Sequence, residues 1–168
     1  MTVSDHNGNV LTTGTGLVAD FYDIGLRAFL GANYGAADAF GQAVGADPEF
    51  ALGYAALART HMMGGDMASA RFAISQAERL VAGATAREQS HVACFALLIG
   101  GQPDKARAAV RAHVQSWPRD ALVAQMCTNV FGLIGFSGEV GREANLLAYT
   151  ETLLPHYPDD WWMMSMHA

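Results

Sequence analysis

Small and apolar residues recur along this chain at a spacing typical of packed helices. A small residue is followed four positions later by an apolar one, seven positions later by another packing residue, and twelve positions later by Pro or Ala. The pattern occurs three times, as Ala36, Phe40, Ala43 and Pro48, as Ala70, Ile74, Ala77 and Ala82, and as Ala106, Val110, His113 and Pro118. Its first position moves from 36 to 70 to 106, in steps of 34 and 36 residues. Because positions four and seven apart share one helix face, the chain predicts a helical repeat of that length.

The stretch before each later helix carries a second pattern of small and apolar residues. It is Tyr54, Leu57, Ala58 and His61, then Ser90, Ala93, Cys94 and Leu97, then Ala124, Cys127, Thr128 and Phe131. Small residues let two helix axes approach, and large ones fill the gap to the next pair. Gly31, Gly65 and Gly101 are placed to end the first helix of a pair. We therefore predict an all-α fold, a right-handed α-solenoid of antiparallel helix pairs of the tetratricopeptide-like type.

The predicted repeat domain spans residues 17–168 and contains four helix pairs. We expect the pairs at 18–30 with 35–46, 49–63 with 67–81, 86–99 with 103–116, and 120–134 with 139–154. Residues 1–16 are polar and rich in Gly and Thr, which favours a flexible N-terminal tail. A further helix is expected after Asp160, but the sequence stops at Ala168 before a partner helix, so the domain is expected to be truncated at its C-terminus.

Composition narrows the classes of function. Hydrophobic residues make up 51% of the chain and charged residues 15%, the net charge is −6, and Lys105 is the only lysine. We expect no nucleic-acid partner, because such binding needs clustered positive charge. We expect no membrane partner, because no apolar run reaches the roughly 18 residues of a membrane helix. The start of the chain lacks the features of a secretory signal, and Cys94 and Cys127 lack CxxC spacing, which favours a cytoplasmic location with buried, reduced thiols.

Residues able to carry chemistry are present, but their spacing predicts no reactive site. The six histidines form no HxxxH or HExxH pair, and a zinc site needs several converging ligands. His61 and His113 occupy packing positions of the repeat. The segment 8–16 is rich in Gly and Thr but lacks the Lys and the preceding strand of a phosphate-binding loop. We therefore predict no catalytic residue, no cofactor and no metal.

The helix face opposite the packing positions is expected to line a concave groove. The predicted groove residues are Arg59, Met62, Met63, His91, Phe95, Leu98, Gln125, Asn129 and Leu133. An apolar lining with a few polar groups is typical of a site for an extended apolar peptide or a small ligand. Ordinary core packing beneath further repeats is the competing interpretation of the same residues.

A cluster of large apolar residues follows Asp160. It consists of Trp161, Trp162, Met163, Met164 and Met166. One short helix without a partner helix cannot bury all of them, and exposed apolar patches tend to find partners. The sequence therefore predicts self-association through this end, with a homodimer as the commonest form.

Several segments carry a family resemblance. They are Arg87-Glu88-Gln89-Ser90-His91-Val92, Gly101-Gln102-Pro103-Asp104-Lys105-Ala106, Asp47–Tyr54 and Trp117–Leu122. Across about residues 35–135 the chain resembles the tetratricopeptide repeat protein 38 family. The resemblance implies the N-terminal part of a longer helical-repeat protein and implies no catalytic chemistry. Thr128 and Asn129 stand where that family tends to have a His-Asp pair, so no role of such a pair is carried over.

These expectations predict a non-enzymatic binding or scaffold module that holds a peptide or protein partner along the groove. Two alternatives stay open. In the first, the chain is the N-terminal part of a longer small-molecule-binding or enzymatic protein whose site is completed by C-terminal repeats. In the second, it is a structural unit that assembles with copies of itself.

Overall fold

The computed structural model describes residues 2–168, and this part of the chain is mostly helical. Its α-helices are α1 Gly16–Leu30, α2 Ala36–Ala46, α3 Ala51–Met63, α4 Met67–Leu80, α5 Ala86–Ile99, α6 Pro103–Ser116, α7 Ala121–Ala124, α8 Arg142–Leu153 and α9 Trp161–His167. Single 3-10 turns occupy Val81–Gly83, Gln125–Cys127 and Leu154–His156. The all-α prediction is confirmed, and the bounds of the first six helices agree with the predicted ones to within two residues.

Local sequence explains where these helices begin and end. The Asp66 side chain accepts a hydrogen bond from the backbone N–H of Ser69 and starts α4. Thr85 and Glu88 form a reciprocal capping box at the start of α5. After α3 and α5 the chain turns through Gly65 and Gly101, whose φ angles of 82° and 73° are left-handed. Such φ angles suit glycine, so these two positions end their helices as predicted.

Small residues lie where neighbouring helices pack most closely. Ala36, Ala70 and Ala106, the first members of the three repeated sets, are 6%, 0% and 0% exposed, as expected of small residues at helix-packing positions. A Cβ atom on Gly25 would lie 2.5 Å from the Phe40 ring, so α1 and α2 can approach this closely only at a glycine. Helices α1 and α2, α3 and α4, and α5 and α6 pack against each other, and α3 also contacts α2 and α5.

The predicted fourth pair differs from the structure. The helix expected over 120–134 ends after α7 and one 3-10 turn, and residues 128–141 form successive turns. A Cβ atom on Gly135 would lie 2.1 Å from the Val130 carbonyl oxygen, so the backbone here follows a path that only glycine permits. The Asn129 side chain accepts a hydrogen bond from the Phe131 backbone N–H at 2.9 Å. These local interactions replace the hydrogen bonds of the expected helix, so the chain forms turns here.

The segment expected to be a flexible tail contains a two-stranded antiparallel hairpin, with β1 at Val3–Ser4 and β2 at Val10–Leu11. Leu11 is 3% exposed, and the Asn9 amide donates a hydrogen bond to the Arg119 carbonyl at 3.0 Å. The Thr13 hydroxyl donates to Asp47 at 2.7 Å. The polar composition that suggested mobility thus supplies hydrogen bonds to the helices. Met1 lies outside the described residues.

The C-terminal apolar cluster is partly covered by its own chain. Trp162 and Met163 are 2% and 0% exposed, and the Trp162 ring meets Tyr157 edge-on with 5.6 Å between ring centroids. Trp161 and Met164 are 51% and 50% exposed. Within residues 2–168, no helix combines the length and the apolar character needed to cross a membrane.

Candidate binding groove

A cavity of about 540 Å³ opens where the ends of α3 and α5, the start of α6 and the turns at 126–137 meet. We call it the groove cavity. Its lining is mainly apolar and includes three methionines, Met62, Met63 and Met126. Leu98, Leu133, Phe131 and Phe136 also line it, and both phenylalanines are more than 70% exposed. A cavity of this size falls in the range that binds small ligands.

The structure brings about half of the predicted groove residues to this cavity. Arg59, Met62, Met63, Leu98 and Leu133 line it. Gln125 contacts Arg59 from the neighbouring 3-10 turn, whereas Asn129 is occupied in its own turn. His91 and Phe95 are fully buried and do not line the cavity.

Phe131 and Phe136 were missed as lining residues. The helical register places Phe131 at a packing position, and it predicts a helix through residue 134. The turns that replace this helix swing both rings to the cavity instead. The spacing of Gly132, Gly135 and Gly138 was the signal that could have revealed the break.

Arg59 is the unusual residue of the cavity. It is 8% exposed, although its guanidinium group carries a charge. Its Nη2 donates to the Gln125 side-chain carbonyl at 3.2 Å, its Nη1 lies 3.9 Å from the Met62 sulfur, and its Nε is buried without a partner. Among residues 2–168, no carboxylate lies within salt-bridge distance of it.

The contacts of Arg59 return part of the cost of burying it. An unpaired buried ion costs several kcal/mol. The Phe29 ring, whose centroid lies 5.8 Å from the guanidinium carbon, returns on the order of 1–2 kcal/mol, and the bond to Gln125 returns a similar amount. Burial lowers the pKa of Arg59 to about 10, which still leaves the group protonated at neutral pH. Arg59 therefore stays charged in the fold, and no carboxylate of residues 2–168 pairs with it.

The second cation of the cavity is neutralised. Arg107 pairs with Glu139 at 2.7 Å and with Asp104 at 3.3 Å. It also donates to the Leu133 carbonyl at 3.3 Å. The positive charge of the cavity that lacks a protein counter-ion is therefore that of Arg59.

A different buried polar cluster lies between α5, α6 and the turn before α7. Asp120, which is 3% exposed, is its centre. It accepts hydrogen bonds from Arg87 Nη1 at 2.6 Å, from His91 Nδ1 at 3.0 Å and from His113 Nε2 at 3.2 Å. We call these four residues the Asp120 cluster.

The donors around Asp120 keep its carboxyl group ionised. Burial alone would raise the pKa of Asp120, but His91, His113 and Arg87 together hold it well below its usual range. The ionised carboxylate only accepts, so both imidazoles donate to it. His113 Nδ1 lies 2.8 Å from the Ser90 hydroxyl oxygen, within hydrogen-bond distance. Burial lowers the pKa of His91, and a proton on its partnerless Nε2 would be a buried donor without an acceptor.

The Asp120 cluster continues into the N-terminal hairpin. Arg87 Nη2 donates to the Val10 carbonyl at 2.9 Å. Its neighbour Glu88 accepts from the Thr12 backbone N–H at 2.8 Å and from the Thr12 hydroxyl. Residues of the segment Arg87–Val92 thus hold together α5, the turn at Asp120 and the hairpin. We call the contacts of Arg87 and Glu88 with Val10 and Thr12 the clasp. The sequence pattern does not predict it.

The remaining reactive side chains are enclosed. Cys94 and Cys127 are buried and free, as predicted, and burial raises the pKa of each thiol to about 12. Such thiols are poor nucleophiles at neutral pH. In the part of the chain that the structure describes, no group of three His, Cys, Asp or Glu residues is arranged to hold a metal ion.

A second cavity of about 500 Å³ lies beside the C-terminal cluster. Charges of both signs surround it, including Asp23, Arg27, Arg119 and Asp160, and Trp161 forms part of its wall. This mixture favours no single ligand chemistry. Self-association through Trp161, Trp162, Met163, Met164 and Met166 stays a prediction.

Comparison of the chain with family models, curated proteins and solved structures gives no match. The resemblance to the tetratricopeptide repeat protein 38 family therefore stays a prediction, which rests on the segments Asp47–Tyr54, Arg87–Val92, Gly101–Ala106 and Trp117–Leu122.

Proposed function

We propose that the chain is a non-enzymatic binding module in which stacked helix pairs of the tetratricopeptide-like type present the groove cavity to an apolar ligand. The observation that carries this proposal is the combination of an open apolar cavity with a buried, unpaired Arg59 in its wall. Such a lining resembles ligand sites, which combine apolar walls with a few directed polar groups.

The exposed rings and thioethers of the cavity support the proposal. Met63, Phe131 and Phe136 are 61%, 76% and 72% exposed. Large apolar side chains gathered at one opening are unusual on a protein surface and mark interaction sites. Methionine adapts its shape to different partners, which suits a binding surface.

A neutral fluorescent dye tests the site. N-phenyl-1-naphthylamine emits strongly only in apolar surroundings, so we expect its emission to rise and saturate with the wild-type chain. Met63→Glu adds a charge to the cavity wall and should weaken dye binding at least tenfold. The matched control is Phe72→Glu, because Phe72 is 66% exposed on α4 and does not line the cavity.

Circular dichroism of both variants should remain helical, since both positions are exposed. If the two variants bind the dye with equal affinity, or if the wild-type chain does not bind it, the groove cavity is not the ligand site.

A further inference from the structure

Arg59 is a cation in an apolar cavity, and no carboxylate of the described residues 2–168 lies within salt-bridge distance of it. We propose that the groove cavity binds an apolar monocarboxylic acid, whose carboxylate pairs with Arg59 and whose hydrocarbon chain lies along Met62, Leu98 and Leu133. This inference rests on the proposed function, because it names the ligand class of the same cavity.

The head group follows from the donors that Arg59 leaves unused. A guanidinium group has five N–H donors in a planar fork that matches a carboxylate. The structure gives it one oxygen acceptor, on Gln125, and one weak sulfur contact, on Met62. Its Nε has no partner. Because Nε is itself buried, a ligand carboxylate would accept from the Nη hydrogens that have no partner, and it would supply the missing negative charge.

The charge of the ligand follows from the count of free cations. Arg107 already shares Asp104 and Glu139, so Arg59 alone is available. One free positive charge matches a monoanion. A phosphate monoester carries nearly two negative charges at neutral pH, and its second charge would face an apolar wall.

The body of the ligand follows from the shortage of polar groups in the wall. A peptide brings one N–H and one C=O per residue, and each needs a partner when buried. Of the polar lining residues, Asp104 and Arg107 pair with each other, and the Ser137 hydroxyl accepts from the Glu139 backbone. Methylene groups need no such partners, so a hydrocarbon chain fits this lining better than a peptide does.

Isothermal titration calorimetry with matched ten-carbon probes tests the proposal on the 168-residue chain. We expect decanoate to bind at least tenfold more tightly than decan-1-ol. Arg59→Met should reduce the affinity for decanoate to that for the alcohol and leave the alcohol unchanged. Arg71→Met, on the exposed face of α4, is the control and should change neither affinity.

Each contrary outcome has a separate meaning. Equal affinities of decanoate and decan-1-ol for the wild type, or an undiminished decanoate affinity in Arg59→Met, would overturn the proposal while the dye experiment still supports the cavity. Tighter binding of decyl phosphate than of decanoate would overturn the carboxylate assignment. Tighter binding of an uncharged apolar hexapeptide, acetylated and amidated at its ends, would overturn the hydrocarbon ligand in favour of a peptide. If no probe binds and the dye does not bind either, the proposed function itself fails.

Discussion

Two arginines of this chain are buried to nearly the same extent in opposite surroundings. Arg59 on α3 is 8% exposed and Arg87 on α5 is 6% exposed. Arg87 meets the Asp120 carboxylate at 2.6 Å, whereas the oxygen acceptor of Arg59 is the neutral Gln125 at 3.2 Å. Burial lowers the pKa of Arg59 to about 10. Burial also opposes the charge of Arg87, but Asp120, together with Tyr22 and Asp5, outweighs burial, so the pKa of Arg87 is raised.

The difference separates a structural charge from a charge that is free for a ligand. Arg87 has its anion within the fold and also ties down the hairpin, so its charge contributes to cohesion. Arg59 has an apolar opening beside it in place of an anion. Burial alone therefore says little about the role of a charged residue, because the partner decides the sign of its effect on stability.

The largest expected effect is that of Arg87→Met. The substitution leaves the Asp120 carboxylate buried without its guanidinium partner, and breaking a buried pair in this way costs about 3–5 kcal/mol. Urea unfolding followed by circular dichroism measures the loss, with Arg71→Met as the exposed control. A loss below about 1 kcal/mol would mean that Arg87 is no more structural than a surface arginine.

The same substitution at Arg59 should act in the opposite direction. Arg59→Met replaces an unpaired buried charge by an apolar side chain of similar length, so we expect the free energy of unfolding to rise by about 1–3 kcal/mol. Gln125 is only partly buried, so water can replace its lost donor. The measurement is the same urea series. A destabilised Arg59→Met would show that the present contacts of Arg59 already compensate its burial and would weaken the case for a missing anion.

The helix pairs are predictable from the sequence, whereas the partners of Arg59, Arg87 and Glu88 are not. Small residues at fixed spacing, together with Gly65 and Gly101, are local signals, and they gave the first six helices. The clasp joins residues far apart in sequence, as with Thr12 and Glu88, which are 76 positions apart. No periodicity indicates such a pairing, so the polar composition of residues 1–16 predicts a mobile tail where the structure has a hairpin. The sequence predicts that Arg59 lies in the groove. Only the structure shows that no carboxylate of residues 2–168 lies within salt-bridge distance of it.

Acidification should weaken the Asp120 cluster and leave the Arg59 site unchanged. The pKa of His91 is lowered in the fold, so the unfolded chain binds the proton first below about pH 6.5, and stability is lost as the pH falls. Asp5 acts the other way, because burial raises its pKa to about 6 and the folded state takes up its proton first. The test therefore uses an Asp5→Asn background, in which this opposing titration is absent.

Between pH 6.5 and pH 5, the His91 titration should remove up to about 2 kcal/mol of stability. Adding His91→Gln, which keeps a neutral donor for Asp120, should remove that part of the pH dependence. The difference between Arg59→Met and wild type should be the same at both pH values, because the pKa of Arg59 lies near 10. Equal pH slopes with and without His91 would contradict the assignment of a buried neutral imidazole.

The smallest expected effect on stability, and the sharpest test of the comparison, is that of Gln125→Glu. Position 125 already places an oxygen 3.2 Å from Arg59 Nη2, and the substitution turns that oxygen into part of a carboxylate without changing the size of the side chain. The Arg59 site would then resemble the Arg87 site. We expect a gain of about 1 kcal/mol in unfolding free energy, because the new pair recovers part of the burial cost of Arg59 while the introduced carboxylate loses some of its hydration. Pairing stabilises the ionised carboxyl group, so this gain should disappear in acid.

The same Gln125→Glu variant connects the stability of the Arg59 site to its ligand. Decanoate should bind at least tenfold more weakly to the variant than to wild type, since the cation that attracts it is already paired, whereas the affinity for decan-1-ol should hold. Calorimetry with the two probes measures both affinities. If Gln125→Glu is more stable than wild type and still binds decanoate with wild-type affinity, the carboxylate of the ligand does not depend on Arg59, and the contrast between the two arginines concerns stability alone.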